Sequence, residues 1–358
     1  MPNSDCAILV GVSRYANPAF PALSGPSNDV LLMKSWLTDP DGGGLDAVNV
    51  HVIESPDPLP ASAPLQAPPT AHDFLATFCG LVFDAAEKPI PRTNARLYLY
   101  FSGHGFSQIL DKVPRACLYT ANATRLVGDN VPGTWYAEWT KDAAMFREIV
   151  VIMDCCRDAE LSLSEAIPPL KRKISDEVQK TVQVFGIYAA PRGGKAQERP
   201  IPSREGKTYS LLTHALVDAL NRAPTNEKFE VTSDSIAAHI RQSWSDICGA
   251  DPADPPEFSL PGITPITIVK RPTVAQDLDV SGWGPGEPVE LLRGDTEPLA
   301  TLIRLIGDKV QVSWKTRADE TIAIVNGHIT INLVAGFCIL RRGTVQRAFQ
   351  SGEANVVI

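Results

Sequence analysis

The chain has 358 residues, of which 44% are hydrophobic and 21% are charged, so it can form one large core and a smaller second domain. Its formal net charge of -8 argues against nucleic acid or an anionic membrane as the main partner. No apolar run reaches the roughly 18 residues that cross a bilayer, and the N-terminus lacks the basic region of a signal peptide.

Apolar strands alternate with helices over the first three quarters of the chain. Residues 6–12, CAILVGV, are a continuous apolar run of the kind typical of strands buried on both faces. In chain order, the predicted elements are a strand at 6–12, a helix that begins at 27–29, a strand at 48–53, a helix from 70 to about 86, strands at 95–101, 148–153 and 182–190, helices at 209–221 and about 233–247, and a sixth strand at 262–269. This alternation predicts an α/β fold with a mainly parallel sheet covered on both faces.

The pattern changes after residue 271. Residues 272–358 contain short alternating runs such as KVQVSW and HITINLV, separated by turn residues such as Asn326-Gly327. We therefore predict two domains, an α/β domain at 1–271 and a small all-β domain at 272–358.

The seven cysteines are scattered along the chain, and no two of them form a CxxC pair. This pattern argues against a disulfide framework and predicts reduced thiols in a cytoplasmic protein. A reactive cysteine must therefore be found from its surroundings.

Two chemically active side chains directly follow predicted strands. His104 comes after the strand at 95–101, and Cys156 comes after the strand at 148–153. Because functional groups of an open α/β sheet collect at the carboxyl ends of its strands, these two can form a nucleophile and its base. The N–H groups of Gly105 and of Cys156 itself would then be donors to the oxyanion of an acyl transfer.

Each motif alone has a simpler interpretation. A Ser-Gly-His-Gly segment at a strand end is often only a turn, and a cysteine there is usually a small buried hydrophobic residue. Their order and their separation of 52 positions favour a catalytic pair. A zinc site built from His104, Cys155 and Cys156 is a weaker alternative, because adjacent cysteines seldom bind one metal with good geometry.

Four stretches together resemble the caspase-like cysteine peptidases, especially the metacaspases and their bacterial relatives. LYFSGHG resembles the histidine motif and VVIMDCCRD the cysteine motif, while ALSGPSNDVLLMKSWL resembles the opening of the metacaspases. FGIYAAPRGGKAQE followed by YSLLTHALVDAL resembles the strand, substrate loop and helix that close the domain. The resemblance covers about residues 5–270 and implies a caspase-like α/β/α sandwich with a six-stranded, mainly parallel sheet.

The resemblance also assigns roles. It makes His104 the base and Cys156, not Cys155, the nucleophile. Metacaspases hold a P1 arginine or lysine with two acidic residues, and the matching positions are Asp29 and Asp154, which implies cleavage after basic residues. A helix-start role for Asp29 and a local strand-end role for Asp154 stay open as alternatives.

The sequence departs from the family pattern after the nucleophile. Leu163 stands seven positions after Cys156, where some metacaspases have an acidic residue of their calcium site. The sequence thus supports no cofactor and no metal, calcium included. Lys171, Arg172 and Lys173 would suit self-cleavage by an enzyme with this specificity, although a solvated basic stretch of loop and helix is the slightly favoured interpretation.

Two functions of different classes follow. The first is a cysteine endopeptidase that cuts protein substrates after arginine or lysine and serves as a regulated bacterial effector in defence or programmed cell death. An upstream activator protein or ligand would then act on residues 272–358. The alternative is a catalytically silent caspase-like scaffold that binds partners through the same C-terminal domain.

Overall fold

A computed structural model describes residues 4–60, 63–108, 115–124, 127–160, 166, 170, 179–262, 264–293, 297–315, 318–334, 337–354 and 356–357. The chain divides into two compact units. The first consists of Met1–Ala223 and Ile236–Ile266, and the second of Pro224–Ser235 and Thr267–Ile358.

The first unit is built on a six-stranded sheet. Its strands are β1 (Cys6–Gly11), β2 (Val50–Glu54), β3 (Arg92–Gly103), β4 (Phe146–Cys155), β5 (Gln183–Tyr188) and β6 (Glu257–Ser259). Their order across the sheet is β6-β5-β4-β3-β1-β2. Every neighbouring pair is parallel except β6 with β5, which is antiparallel. The prediction of a six-stranded, mainly parallel sheet is confirmed.

The sixth strand was predicted at the wrong place. The apolar run at 262–269 does not join the central sheet; Thr267–Lys270 pairs instead with Glu230–Thr232 in a separate two-stranded sheet. The edge position is taken by Glu257–Ser259, which has no apolar pattern. A short edge strand is held by backbone pairing along one side only, so its sequence carries little signal.

Helices cover both faces of the sheet. They are α1 (Pro26–Thr38), α2 (Ala71–Val82), α3 (Gly133–Asp142), α4 (Leu211–Arg222) and α5 (Ser233–Cys248). Leu99 and Phe101 of β3 belong to the same buried cluster as residues of α2 and α3. Tyr100, between them, points to the opposite face, where its hydroxyl lies 2.6 Å from the Thr213 hydroxyl of α4.

Two helices differ from the sequence prediction. The helix that begins after Thr70 has the predicted start, a capping box in which Thr70 and Asp73 bond each other's backbone N–H. It ends at Val82 rather than near residue 86, because Phe83 adopts an extended conformation. Helix α3 was not predicted. Its sequence shows no clear helical periodicity of apolar residues. The buried side chains of α3 include Tyr136 and Trp139, which pack on Phe78 of α2.

Short strands complete the first unit. Gly105–Gln108, Ala116–Tyr119, Asn130–Val131 and Asp158–Glu160 form one four-stranded sheet, and Glu198–Pro200 pairs with Thr208–Ser210. The first of these strands begins one residue after His104. His104 is therefore the single residue between two strands, and the pairing of both strands restricts its backbone.

The second unit is rich in β-structure. A three-stranded sheet has the order His328–Val334, Thr273–Asp279, Val356–Val357, and a six-stranded sheet has the order Glu320–Ala323, Lys309–Trp314, Glu297–Leu305, Pro288–Arg293, Phe337–Arg342, Val345–Gln350. Alternate residues of these strands, Phe349 among them, form one buried cluster with Trp283 from the loop between Asp279 and Pro288. Residues 272–358, where we predicted a small β domain, lie in this unit.

Candidate active site

The site is created by the pairing of β3 with β4. These strands are parallel neighbours, and their register places Ser102 beside Asp154 and Gly103 beside Cys155. Each candidate catalytic residue follows its strand by one position, so both leave the sheet at the same edge. This is the arrangement that the strand-end argument predicts.

A cavity of about 100 Å³ lies at this edge. Four of the five predicted site residues line it: Asp29, His104, Asp154 and Cys156. The fifth, Gly105, is not among the lining residues. The other lining residues are Leu23, Pro26, Ser102, Gly103, Ala196, Gln197, Glu198 and Ser210.

His104 is fixed by contacts on several sides. Its Nε2 lies 2.9 Å from the carbonyl oxygen of Pro21, and its backbone N–H donates to the Tyr15 hydroxyl at 2.8 Å. The Tyr15 and Phe20 rings lie 5.0 Å and 6.0 Å from the imidazole centroid. A hydrogen bond to a carbonyl requires the proton on Nε2, so in the neutral ring Nδ1 is the proton acceptor.

Cys156 is half-buried, and its Sγ donates to the carbonyl oxygen of Ala196 at 3.8 Å. Burial raises the pKa of this thiol, and the positive charge of Lys195 opposes the effect only in part. The thiol is therefore protonated at neutral pH, and attack on a substrate requires a base beside it.

The neighbouring Cys155 lies in a different environment. It is fully buried, and its Sγ approaches the Cys117 carbonyl oxygen at 3.9 Å. Burial raises its thiol pKa well above the ordinary value. Gly105 packs directly against it, because a Cβ at Gly105 would lie 2.5 Å from the Cys155 Sγ. A side chain at position 105 would thus collide with Cys155 at the end of β4.

Two buried carboxylates form the floor of the cavity. Asp29 is fully buried and accepts from the Ser102 hydroxyl at 2.9 Å and from the Ser210 N–H at 3.0 Å. Asp154 accepts from the Ser210 hydroxyl, the Thr213 hydroxyl and, at 3.2 Å, the Thr213 N–H. Burial raises the pKa of Asp154 to about 6. Burial, followed by the nearby Asp154 charge, raises the pKa of Asp29 well above its usual range.

Sequence reasoning missed a third carboxylate. Glu198 lines the same cavity and accepts from the backbone N–H groups of Ser24, at 3.0 Å, and Gly25, at 2.8 Å. It thereby serves the start of α1, whose N-cap residue Gly25 makes no side-chain capping bond. The segment FGIYAAPRGGKAQE indicated a substrate loop, and Glu198 is its last residue. Only the fold shows that Glu198 contacts the start of α1, the helix that contains Asp29.

The described residues contain no group of three or more histidine, cysteine or acidic side chains placed to hold a metal ion. Leu163 and the basic residues Lys171, Arg172 and Lys173 lie outside the described residues. Among the described residues, therefore, no acidic cluster fits a calcium ion. Within the described part of the chain, no helix combines the length and the apolar character needed to cross a membrane.

Comparison with known families identifies the family of the chain. The family described as "Caspase domain" matches residues 4–249, which is more than half of the chain. The chain therefore belongs to the caspase domain family of peptidases. One curated relative, "Probable protease" from a Desulfuromonadales bacterium, is 30% identical over 102 residues. That match covers 28% of this chain and 12% of the relative, so the chain spans only a small part of the relative's length.

Solved caspase structures are also similar. Caspase-1 from Spodoptera frugiperda is matched with a TM-score of 0.46 and 10% identity, over 75% of this chain and 90% of that one. A structure titled pro-sf-caspase-1 is matched with a TM-score of 0.41 and 11% identity, over 75% of this chain and 92% of that one.

Proposed function

We propose that this protein is a cysteine endopeptidase that cleaves after arginine or lysine, with His104 as base and Cys156 as nucleophile. The observation that carries the proposal is the composition of one small cavity. The thiol, the imidazole and three carboxylates line it together, and none of its lining residues in the described part of the chain is a lysine or an arginine.

The proposed reaction is an acyl transfer that passes through a thioester. His104 Nδ1 takes the proton from the Cys156 thiol, and the thiolate attacks the carbonyl carbon of the scissile bond. The N–H groups of Gly105 and Cys156 donate to the oxyanion that forms. The imidazolium then gives its proton to the leaving amine, and the thioester remains. A water molecule, deprotonated by His104, hydrolyses the thioester, which releases the acid product and restores the thiol.

Specificity for a basic P1 residue is supported by charge. Asp29, Asp154 and Glu198 all line the cavity, and a cationic side chain would relieve their mutual repulsion and replace lost solvent. An aspartate side chain would instead add a further carboxylate to a buried acidic site, which costs free energy.

The test is a panel of peptides that differ only in P1. Purified wild type and Cys156→Ala are assayed with arginine, lysine, aspartate and norleucine at that position. We expect cleavage of the arginine and lysine peptides by wild type alone. Cleavage of the aspartate peptide would contradict the acidic pocket, and equal activity in Cys156→Ala would contradict the nucleophile.

The biological role extends this proposal. Membership of a caspase-domain family and the resemblance to bacterial relatives support a regulated effector in bacterial defence or cell death, with an activating partner or ligand bound by residues 272–358. The purified full chain should then be weakly active alone. Full activity without any addition would contradict a required activator. If no condition yields cleavage while Cys156 stays unreactive, a binding scaffold becomes the better account.

A further inference from the structure

The wall of the cavity is connected to a segment beyond the family match. Residues 251–257, with the sequence DPADPPE, follow α5, and we call them the acidic strap. The caspase-domain match ends at residue 249. The strap contains three prolines, which restrict its backbone, and its Ala253 carbonyl accepts from the Trp244 indole of α5 at 3.2 Å. The strap is therefore a stiff segment that is held against α5 at Ala253.

Two acidic residues of the strap contact the substrate loop. Asp254 Oδ2 accepts from the Lys195 backbone N–H at 3.0 Å. Asp251 pairs with Arg199 at 3.2 Å, and Arg199 also donates to the Cys248 carbonyl at 2.8 Å. The three residues between these contacts, Ala196, Gln197 and Glu198, form one wall of the cavity. The strap thus holds the wall at both of its ends.

The third acidic residue meets the residue after the nucleophile. The Arg157 side chain is 1% exposed and pairs with Glu257. Its backbone N–H donates to the Gly194 carbonyl at 3.0 Å, and its own carbonyl accepts from Gly193 at 2.8 Å. A buried guanidinium needs a counter-charge, which Glu257 provides. Glu257 thereby stabilises Arg157 and the backbone of Gly193 and Gly194, which precede the cavity wall.

We propose that the acidic strap is a positioning element that sets the P1 wall of the active site, with Asp254 as its main contact. This inference rests on the proposed peptidase function. The strap touches neither the thiol nor the imidazole in any described contact. Its loss should therefore change the fit of the substrate and leave the chemistry of Cys156 itself unaltered.

The experiment compares Asp254→Ala with Asp246→Ala, which removes an exposed carboxylate of α5 away from the loop. Hydrogen exchange of residues 191–199 is measured in the full chain, followed by kinetics with a P1-arginine peptide. We expect faster exchange of this segment and a KM raised about tenfold in Asp254→Ala, as for the loss of one charge-assisted hydrogen bond. Asp246→Ala should resemble wild type.

Further measurements separate the explanations. Alkylation of Cys156 by iodoacetamide should proceed at the wild-type rate in Asp254→Ala, and Asp254→Asn, which keeps an acceptor oxygen, should restore most of the affinity. Should Asp254→Ala fail to fold, Asp251→Ala at the exposed end of the strap replaces it, with the same expected direction. Unchanged exchange and KM would overturn the positioning role. Absence of all peptide cleavage in wild type would refute the proposed function, while the exchange result would still decide the structural claim.

Discussion

Asp29 and Asp154 are joined through one serine: the Ser210 N–H donates to Asp29, and the Ser210 hydroxyl donates to Asp154. The first carboxylate lies in α1 and the second is the last residue but one of β4, so 125 positions separate them along the chain. Two carboxyl groups buried this closely cannot both ionise easily. The fold thus maintains an unfavourable charge arrangement at the place where a cationic side chain would relieve it.

Replacement of Asp29 by asparagine should weaken activity without weakening the fold. The amide keeps the shape of the carboxylate and can still accept from Ser210. We expect kcat/KM for a P1-arginine peptide to fall by about 30- to 150-fold, as for the loss of one partner of a desolvated ion pair worth about 2–3 kcal/mol. Steady-state kinetics measure the fall, and Asp41→Asn, at an exposed site, is the control.

The stability of Asp29→Asn gives a second, opposite readout. Folding raises the pKa of Asp29, so the folded state binds this proton more tightly than the unfolded state does. The associated stability is present at low pH and is lost as the pH rises through the folded-state pKa. At pH 8 the variant should therefore melt at or above the wild-type temperature. A strongly lowered melting temperature would show that Asp29 is structural.

Binding of a basic peptide should weaken in acid. The pKa of Asp154 is raised to about 6 by burial, so below that pH the carboxyl group is neutral and attracts a cation less strongly. Calorimetry with Cys156→Ala isolates binding from catalysis. Affinity for a P1-arginine peptide should fall as the pH drops from 7 to 5, while a P1-norleucine peptide should show little change. Parallel behaviour of both peptides would contradict a charged pocket.

The two adjacent cysteines should differ sharply in reactivity. Cys156→Ala should abolish cleavage, because the cavity then lacks its nucleophile. Cys155→Ala should keep most activity and cost about 1–2 kcal/mol of stability, since a buried sulfur that packs on Gly105 is lost. Cleavage assays and thermal melts of both variants decide the assignment. Loss of activity in Cys155→Ala with an unchanged melting temperature would reverse it.

Two glycine-to-alanine substitutions should have opposite effects on stability. At Gly105 the new methyl group would lie 2.5 Å from the Cys155 Sγ and 2.6 Å from the Cys117 carbonyl oxygen, an overlap that costs about 1–3 kcal/mol. At Gly80, an exposed position inside α2, nothing lies within 4 Å. There the substitution should stabilise the helix by up to about 1 kcal/mol. Urea denaturation of both variants measures the difference.

The strand-end part of the site could be predicted because it depends on local sequence and on one topological rule. Apolar runs place β3 and β4, and parallel pairing brings the residues that follow them to one edge. The parallel pairing of β3 with β4, in which Gly103 lies beside Cys155, follows that rule.

The remaining parts depend on tertiary contacts that leave no local pattern. Glu198 acts at the start of a helix 173 positions earlier in the chain. The edge strand Glu257–Ser259 is polar and short, and the apolar run that we predicted in its place pairs elsewhere. The acidic strap reads as a proline-rich loop, and only its contacts with Lys195 and Arg199 show what it holds.

The proposed function requires that Cys156 react with substrates whose P1 side chain is basic. Covalent labelling of the full chain by peptidyl ketone inhibitors with arginine or aspartate at P1 tests this directly, with the modified residue located by mass spectrometry. We expect one label from the arginine inhibitor, on Cys156, that is lost in Cys156→Ala and slowed in Asp29→Asn. Preferential labelling by the aspartate inhibitor, or attachment at Cys155, would contradict it.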